Sequence, residues 1–149
     1  MLNFLKLISN VQTLCKKRGV RLTVQRERVY GIIIQSKRAI SAYDLLDILR
    51  ETEPKAKPPT VYRALEFLLS QGFVHKVEST NSFIACCLPG HARHCSQLLF
   101  CDSCGTVEEC HADSLSVALQ TRARQEGFSV SHHVIETHGT CQYCQVMTH

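Results

Sequence analysis

The stretch PPTVYRALEFLLSQG at residues 58–72 decides how the first half of the chain folds. Its apolar residues recur at the i, i+3, i+4, i+7 and i+8 positions of one helical face, namely Val61, Ala64, Leu65, Leu68 and Leu69. The two prolines suit the first turn of a helix, and Gly72 suits its end. This spacing predicts an amphipathic helix whose opposite face presents Thr60, Tyr62, Arg63 and Glu66.

Three more helices are predicted before this one. The first carries Leu5, Ile8, Val11 and Cys15 at helical spacing and ends at Gly19. The second runs from its cap Thr23 to about Gln35, with Val29, Ile32 and Ile33 facing inward. The third begins with a capping box, Ser41 to Asp44, and buries Ala42, Leu45, Leu46 and Leu49. Its outer face presents Tyr43, Asp44, Asp47 and Arg50.

Helix, helix, turn and helix followed by a short hairpin is typical of a winged helix-turn-helix, in which the last helix enters the major groove of DNA. By itself, an amphipathic helix with one Arg and one Tyr on its outer face is more often an ordinary surface helix. The charge distribution favours DNA. Residues 1–76 hold 14 Lys and Arg against 6 Asp and Glu, a net charge of +8, whereas residues 77–149 hold 3 against 7, a net charge of −4.

The composition bounds the class of protein. The 149 residues are 44% hydrophobic, which excludes a disordered chain and suffices for one domain or two small ones. No apolar run reaches the roughly 18 to 20 residues of a membrane span. Lys6 interrupts the apolar N-terminal stretch, which also lacks a small-residue cleavage site, so a secretory signal is not expected. We therefore expect a cytoplasmic protein.

The predicted hairpin pairs residues 73–78 with residues 82–87. If its turn is centred between Thr80 and Asn81, His75 lies directly opposite Cys86. Opposed residues on an antiparallel pair project to one face with Cβ atoms about 5 Å apart, from which an imidazole and a thiolate can share one zinc ion. A surface histidine beside a small buried cysteine is the alternative interpretation.

The second half contains two Cys-x-x-Cys pairs, Cys101 with Cys104 and Cys141 with Cys144. Four thiolates make a closed tetrahedral zinc site, which indicates a structural ion. The 36 intervening residues exceed the roughly 15 to 20 of a simple zinc ribbon. A folded unit is therefore expected between the pairs: a strand over 97–101, a helix over 113–126 and a strand over 128–137. Disulfides or a thioredoxin-type redox motif are the alternatives. A reducing compartment disfavours stable disulfides, and neither pair is expected to open a helix after a strand in a βαβ context, which disfavours the redox motif.

Further residues that could bind a metal occur near these pairs in the sequence, so other ligand assignments remain open. Those between the halves are Cys87, His91, His94, Cys95, Glu108, Glu109, Cys110 and His111. His132, His133 and His138 form a possible third metal site, with solvated or hydrogen-bonded histidines as the alternative.

Several sequence motifs, taken together, resemble those of a known protein family. The runs TVQR at 23–26, SAYDLL at 41–46 and PTVYRAL at 59–65, with the two Cys-x-x-Cys pairs, resemble the ferric uptake regulator (Fur) family of metal-sensing repressors. The segments 56–65 and 72–79 resemble its zinc uptake regulator (Zur) branch closely. The resemblance implies an α+β chain that forms a homodimer on a palindromic DNA operator. It comprises a winged-helix DNA-binding domain at 1–86, a connection at 87–95 and a zinc-bound α/β dimerisation domain at 96–149.

The resemblance also implies sites and about two Zn²⁺ per subunit. The structural zinc falls on Cys101, Cys104, Cys141 and Cys144, and the regulatory zinc on His75, Cys86, His94 and Glu109. DNA binding falls on Tyr43 and Arg63 for bases and on Lys57, Thr60 and Tyr62 for phosphates. Cys87 or Cys95, and His91, are possible replacements among the regulatory ligands. Zinc then acts as corepressor of zinc-uptake genes.

Other functions remain open at this point. A thiolate ligand favours Zn²⁺ over Fe²⁺ or Mn²⁺, but a repressor that senses another metal or peroxide is the main alternative. A zinc hydrolase or thiol oxidoreductase is disfavoured, because four protein ligands leave no position for water. An interaction module without DNA affinity is the third possibility. Asp47 and Arg50, three residues apart, form either a solvated pair or a contact between neighbouring dimers on DNA.

Overall fold

The computed structural model describes residues 4–36, 38–90, 97–131 and 133–147. These residues form two compact units, one within Met1–His91 and the other within Ala92–His149. Helices and strands occur in both, as the sequence predicted. Among the described residues, no helix combines the length and the apolar character that a bilayer crossing requires.

The first unit packs helices against a small antiparallel sheet. Its helices are α1 (Phe4–Arg18), α2 (Val24–Gln35), α3 (Ala42–Thr52) and α4 (Pro58–Ser70). Its strands are β1 (Ile40–Ser41), β2 (Val74–Val77) and β3 (Ser82–Ala85), in the order β1-β3-β2. This is the predicted succession of three helices, a recognition-type helix and a hairpin, with strands shorter than expected.

Side-chain caps explain where two of these helices begin. The Thr23 hydroxyl accepts a hydrogen bond from the backbone N–H of Arg26, which satisfies one of the unpaired donors at the start of α2. Ser41 does the same for the N–H of Asp44 at the start of α3, at 3.1 Å. The Asp44 carboxylate then accepts a hydrogen bond from the Ser41 hydroxyl, at 2.9 Å. The capping box predicted at residues 41–44 is therefore present, and its second hydrogen bond joins the two side chains.

The core of the first unit is continuous and apolar. It includes the predicted inner faces of α2, α3 and α4, with residues from β2 and β3. Two expectations were wrong. Leu5 is 70% exposed and Leu7 is buried in its place, and Leu69 is 36% exposed at the edge of the α4 face. Each lies at the margin of its helical stripe, where packing partners decide burial more than periodicity does.

The second unit contains a mixed three-stranded sheet. Its elements are β4 (Gln97–Cys101), β5 (Val107–Cys110), α5 (Asp113–Gln125), β6 (Ile135–Gly139) and α6 (Gln142–Met147). The order is β5-β4-β6, with β4 antiparallel to β5 and parallel to β6. β4 matches the predicted strand 97–101, and α5 supplies the crossover that a parallel pair needs.

The predicted strand over 128–137 was wrong in its extent. β6 begins only at Ile135, and Phe128 and Val134, which set the alternating pattern, are exposed in the single chain. Residues 128–131, 133 and 134 are not in a strand. Alternating apolar residues indicate that one face of a segment can be buried. A β-strand also needs a neighbouring strand to which its backbone can form hydrogen bonds. The short helix α6 was not predicted.

Candidate metal centres and nucleic-acid surface

The four cysteines of the two Cys-x-x-Cys pairs converge in the second unit. Cys101 ends β4 and Cys104 lies in the turn before β5, whereas Cys141 directly precedes α6 and Cys144 lies within it. The first turn is closed by a hydrogen bond from the Gly105 N–H to the Cys101 carbonyl, at 2.8 Å. Gly105 has φ +71°, a left-handed conformation that favours glycine. The prediction that these four residues share one site agrees with the geometry.

The sulfur separations fit a zinc ion. All four Sγ atoms lie within 4.8 Å of one another, and the Sγ atoms of Cys104 and Cys141 are 3.7 Å apart. Zn–S bonds of about 2.3 Å in a tetrahedron place neighbouring sulfurs about 3.8 Å apart, whereas a disulfide requires about 2.05 Å. None of the described cysteines forms a disulfide. The cluster therefore suits a closed tetrahedral metal site.

The electrostatics of the cluster point the same way. Hydrogen bonds from backbone N–H groups, first that of Cys141 at 3.2 Å and then that of Cys104, lower the pKa of Cys101 to about 6. A hydrogen bond with Thr106 lowers the pKa of Cys104. The neighbouring sulfurs, Cys141 first, raise the pKa of Cys144 to about 12. Some of the thiolates thus form readily, but all four together require a cation.

The second Cys-x-x-Cys pair does open a helix after a strand, since Cys141 lies between β6 and α6, but no strand follows α6 among the described residues. The βαβ setting of a redox motif is therefore not formed there, in line with the prediction. A two-cysteine redox motif is further disfavoured by the presence of Cys101 and Cys104 around the same point. Four convergent thiols satisfy a metal's coordination shell, whereas a redox pair needs only two.

The hairpin register differs from the prediction. His75 pairs with Ile84 and Val77 with Ser82, so the turn comprises four residues, 78–81, and is centred one residue earlier than expected. Cys86 lies opposite Phe73 instead, to whose carbonyl its N–H donates at 2.9 Å. A shift of two in the pairing sum preserves which face each side chain occupies, so His75 and Cys86 still share a face as diagonal neighbours. Their ligand atoms lie within 4.8 Å of each other, and Cys86 is buried.

Two predicted regulatory ligands remain, Glu109 and His94. Glu109 is on β5, and its carboxylate lies within 4.8 Å of a ring nitrogen of His111. Predictions that involve His91, His94, Cys95 and His132 fall outside the described residues. His138 has Asp102 Oδ1 3.2 Å from Nδ1 and Glu136 Oε2 3.2 Å from Nε2. Hydrogen bonds to these carboxylates, Asp102 first, raise the pKa of His138. The structure therefore shows this residue as a hydrogen-bonded histidine, which was the alternative to a ligand of a third metal site.

The candidate nucleic-acid surface lies on α3 and α4 of the first unit. Lys57, Tyr62 and Arg63 are exposed at or near the start of α4, Thr60 is half-buried beside them, and Tyr43 is exposed on α3. Helix N-termini suit phosphate, since their free N–H groups point outward. All five predicted DNA-contacting residues thus belong to one unit and its two outermost helical faces.

Contacts that hold α4 in place were missed by sequence reasoning. Arg28 forms an ion pair with Glu53, directly after α3, and Arg50 Nε donates to the Ala56 carbonyl at 3.0 Å. The guanidinium of Arg26 lies 3.9 Å from the ring centroid of Phe67. Arg50 therefore binds the α3–α4 connection rather than serving only as the partner of Asp47. The basic residues of α2 carried no periodic signal that distinguished them from DNA contacts.

Comparisons with known proteins show which family the chain resembles. The sequence profile of the ferric uptake regulator family matches residues 17–138. The zinc uptake regulation protein of Escherichia coli K12 is 52% identical over 93% of this chain and 81% of its own length. A solved structure of a zinc uptake regulator complexed with zinc and DNA has a TM-score of 0.95 and 49% identity, covering 99% of both chains. The holo form of the regulator XcZur has a TM-score of 0.88 and 40% identity, covering 93% of this chain and 96% of that one.

Proposed function

Because the chain belongs to the ferric uptake regulator family, we propose that it is a zinc-responsive repressor that binds the operators of zinc-uptake genes when zinc is bound. The observation that carries this proposal is the match, over 99% of both chains, with a zinc uptake regulator complexed with zinc and DNA. The proposal includes a cytoplasmic location and no catalytic activity, since four protein ligands leave no coordination position for water.

The first unit is proposed as the DNA-binding domain. Arg63 has the fork of donors that reads guanine in the major groove, and Tyr43 lies on the neighbouring exposed face. Lys57, Thr60 and Tyr62 lie around the start of α4 and are proposed to contact phosphates. The net charge of +8 over residues 1–76 attracts the polyanion, while these side chains fix its position.

The second unit is proposed as the dimerisation domain. None of the residues of α5 is buried in the single chain, although Leu115, Val117 and Leu119 lie on it. Phe128 is also exposed. A unit with so little enclosed apolar surface gains from a partner copy that covers these side chains. Two copies related by a two-fold axis would present two α4 helices to a palindromic operator.

The four-cysteine site is proposed to hold a structural zinc ion in each subunit. Bound there, zinc neutralises thiolates and joins the end of β4 to the start of α6. Cys101 and Cys104 fix one end of the sheet, and Cys141 and Cys144 fix the C-terminal helix. Metal binding thereby supplies folding free energy that the small apolar core does not.

The regulatory ion is proposed to bind His75, Cys86, His94 and Glu109. Zinc, when bound, links ligands that are far apart in the sequence and restricts the arrangements that the chain adopts. His75 and Cys86 suit this role since they share a face of the hairpin within 4.8 Å and combine imidazole with thiolate. Ligand binding that favours the DNA-competent arrangement raises operator affinity, and DNA must raise zinc affinity by the same factor. The change in operator affinity is therefore set by a coupling free energy between the regulatory zinc site and the DNA-binding surface.

Neighbouring dimers are proposed to touch through Asp47 and Arg50 when operators bind more than one dimer. Both side chains are exposed on α3. The bond from Arg50 Nε to Ala56 fixes the orientation of the guanidinium and so its remaining donors.

A titration of DNA binding against zinc tests the function. Full-length protein is measured by fluorescence anisotropy on promoter DNA of a zinc-uptake operon, with a scrambled duplex as control. A chelator that empties the regulatory site but spares the four-cysteine site is expected to abolish specific binding, and added zinc to restore it. Cys86→Ser should lose one zinc per subunit and the zinc response. Equally tight promoter binding by folded, chelated protein would contradict the proposal.

A further inference from the structure

The connection between α3 and α4, residues 53–57, has little apolar packing of its own. Ala56 is buried, whereas the side chains around it in the connection are exposed or half-buried. A cavity of about 430 Å³ is lined by most of the connection together with Gln25 and Thr60. One buried methyl group is too little apolar surface to fix five residues in one conformation. Polar contacts must therefore supply the rest.

The start of α4 also lacks the side-chain cap that begins α2 and α3. Lys57, at the capping position of α4, makes no side-chain hydrogen bond to the helix, whereas Thr23 and Ser41 cap their helices. The two prolines at 58–59 restrict the backbone of the first turn, but they do not bind it to a neighbouring element. The buried face of α4 begins only at Val61. The placement of the first turn therefore depends on the connection that precedes it.

Glu53 is the residue at which the polar contacts of the connection meet. Its carboxylate forms an ion pair with Arg28 and accepts a hydrogen bond from Gln25 Nε2 at 3.4 Å, and both partners belong to α2. Its backbone carbonyl accepts the N–H of Ala56 at 2.9 Å, and the Ala56 carbonyl in turn accepts Arg50 Nε at 3.0 Å. The Glu53 side chain is 19% exposed. This residue thus joins the connection to α2 and also closes its turn.

We propose that Glu53 is a positioning residue for DNA reading, which sets the start of α4 so that Arg63 meets a base edge while Lys57 and Thr60 meet phosphates. This inference rests on the proposed function, in which those residues contact DNA. A carboxylate repels phosphates, so a DNA-binding unit gains general affinity by losing one. Glu53 nevertheless lines the same cavity as Thr60. Alignment accounts for its presence, since two parallel hydrogen bonds to one base require an exact approach.

The role predicts different effects on cognate and unrelated DNA. Glu53→Gln keeps the size of the side chain but removes its charge and the ion pair with Arg28. A scrambled duplex should be bound equally or more tightly, because one repulsive charge is gone. A promoter duplex should be bound more weakly, because Arg63 loses its alignment. The ratio of the two affinities should fall about 10-fold, a partial loss of the discrimination that one bidentate base contact provides.

The test compares matched variants of the full-length, zinc-loaded protein. Fluorescence anisotropy is measured on promoter DNA of a zinc-uptake operon and on a scrambled duplex, at several salt concentrations, and urea unfolding reports whether each variant is folded. Glu51→Gln removes the same charge from an exposed position on α3, two residues earlier, and should leave the affinity ratio unchanged. Arg28→Gln should lower the ratio as Glu53→Gln does, and the double variant no further, because all three lack the same ion pair.

Each outcome decides the role of Glu53. An unchanged ratio in Glu53→Gln overturns the inference, as does an equal fall in Glu51→Gln. In Arg28→Gln, a loss of about 0.9 from the slope of log affinity against log salt would place Arg28 at a phosphate and contradict its role as the partner of Glu53. Arg28→Gln alone decides the matter if Glu53→Gln does not fold.

The unaltered protein separates this inference from the proposed function. If the zinc-loaded protein does not distinguish the promoter duplex from the scrambled one, the proposed function itself fails. If it does distinguish them and Glu53→Gln shows the same ratio, only the role of Glu53 fails.

Discussion

Replacing one ligand of the four-cysteine site should unfold the second unit while sparing the first. In Cys104→Ser, a hydroxyl that stays protonated replaces a thiol whose pKa is already lowered, so the ion loses one of four bonds. The residue lies in the turn that connects β4 to β5, 3.7 Å from the sulfur of Cys141. The substitution thus weakens the junction between both ends of the unit.

The expected loss of folding free energy is large because few other interactions stabilise the second unit. Among its described residues, Leu98 and Cys101 are the buried apolar side chains. A buried leucine contributes about 1.5 to 3 kcal/mol, whereas a structural zinc ion contributes about 10 to 16 kcal/mol in small metal-dependent domains. The apolar core of the single chain therefore cannot replace the ion. The first unit has its own extended core and should stay folded.

Zinc content, circular dichroism and oligomeric state measure the outcome. Zinc per subunit should fall from about two to about one or less, dimers should dissociate, and thermal unfolding should retain only the transition of the helical unit. Cys110→Ser is the matched control, since Cys110 lies on β5 of the same unit outside the four-cysteine cluster. Full zinc content and an unchanged unfolding profile in Cys104→Ser would refute the role of the cluster in folding.

Four further outcomes are expected. Arg63→Ala should weaken operator binding by about 1 to 3 kcal/mol and relax the preference at one base pair; a uniform loss on all sequences in anisotropy titrations would instead assign Arg63 to the backbone. Ser41→Ala should lower the free energy of unfolding of the first unit by about 1 kcal/mol in urea titrations, since α3 loses its N-terminal cap. An unchanged free energy of unfolding would show that the Ser41 cap does not stabilise the unit. The pKa of His138, from NMR titration of its ring protons, should lie above the ordinary histidine value of about 6.5, because Asp102 and then Glu136 stabilise the protonated ring; the associated stabilisation is complete below the pKa of the unfolded chain and is lost as pH rises through the pKa of the folded protein. Asp47→Arg should reduce cooperative binding of dimers to DNA in gel shifts, whereas unchanged cooperativity would dismiss contacts at this residue.

Local patterns predicted the helices of the first unit because their physical causes are local. The caps Thr23 and Ser41 and the apolar stripe of α4 act over three or four residues, which is the range that periodicity covers. The four-cysteine cluster was predictable for a different reason. Thiol chemistry restricts the use of two Cys-x-x-Cys pairs so strongly that spacing alone indicates a metal.

Predictions failed where distant parts of the chain decide the outcome. The hairpin register depends on where the chain turns, and the turn at residues 78–81, with Asn81 at φ +48°, lacks the residue pair that marks the tightest turns. The late strand begins at Ile135 because only that segment pairs with β4. Phe128 is exposed, which shows that an alternating apolar pattern does not by itself provide a neighbouring strand for the segment to pair with.

The sequence by itself determined the helix boundaries of the first unit, the opposite charges of the two halves and which four cysteines form the cluster in the second unit. These depend on neighbours in the chain or on the chemistry of single side chains. Tertiary structure alone decided which strand residues pair, that Arg50 binds Ala56, and that the phenol of Tyr30 is buried beside the same phenylalanine as Cys86. Such contacts join residues from six positions apart, for Arg50 and Ala56, to 43 positions apart, for Tyr30 and Phe73, and their free energy exists only once the chain has closed the intervening loops.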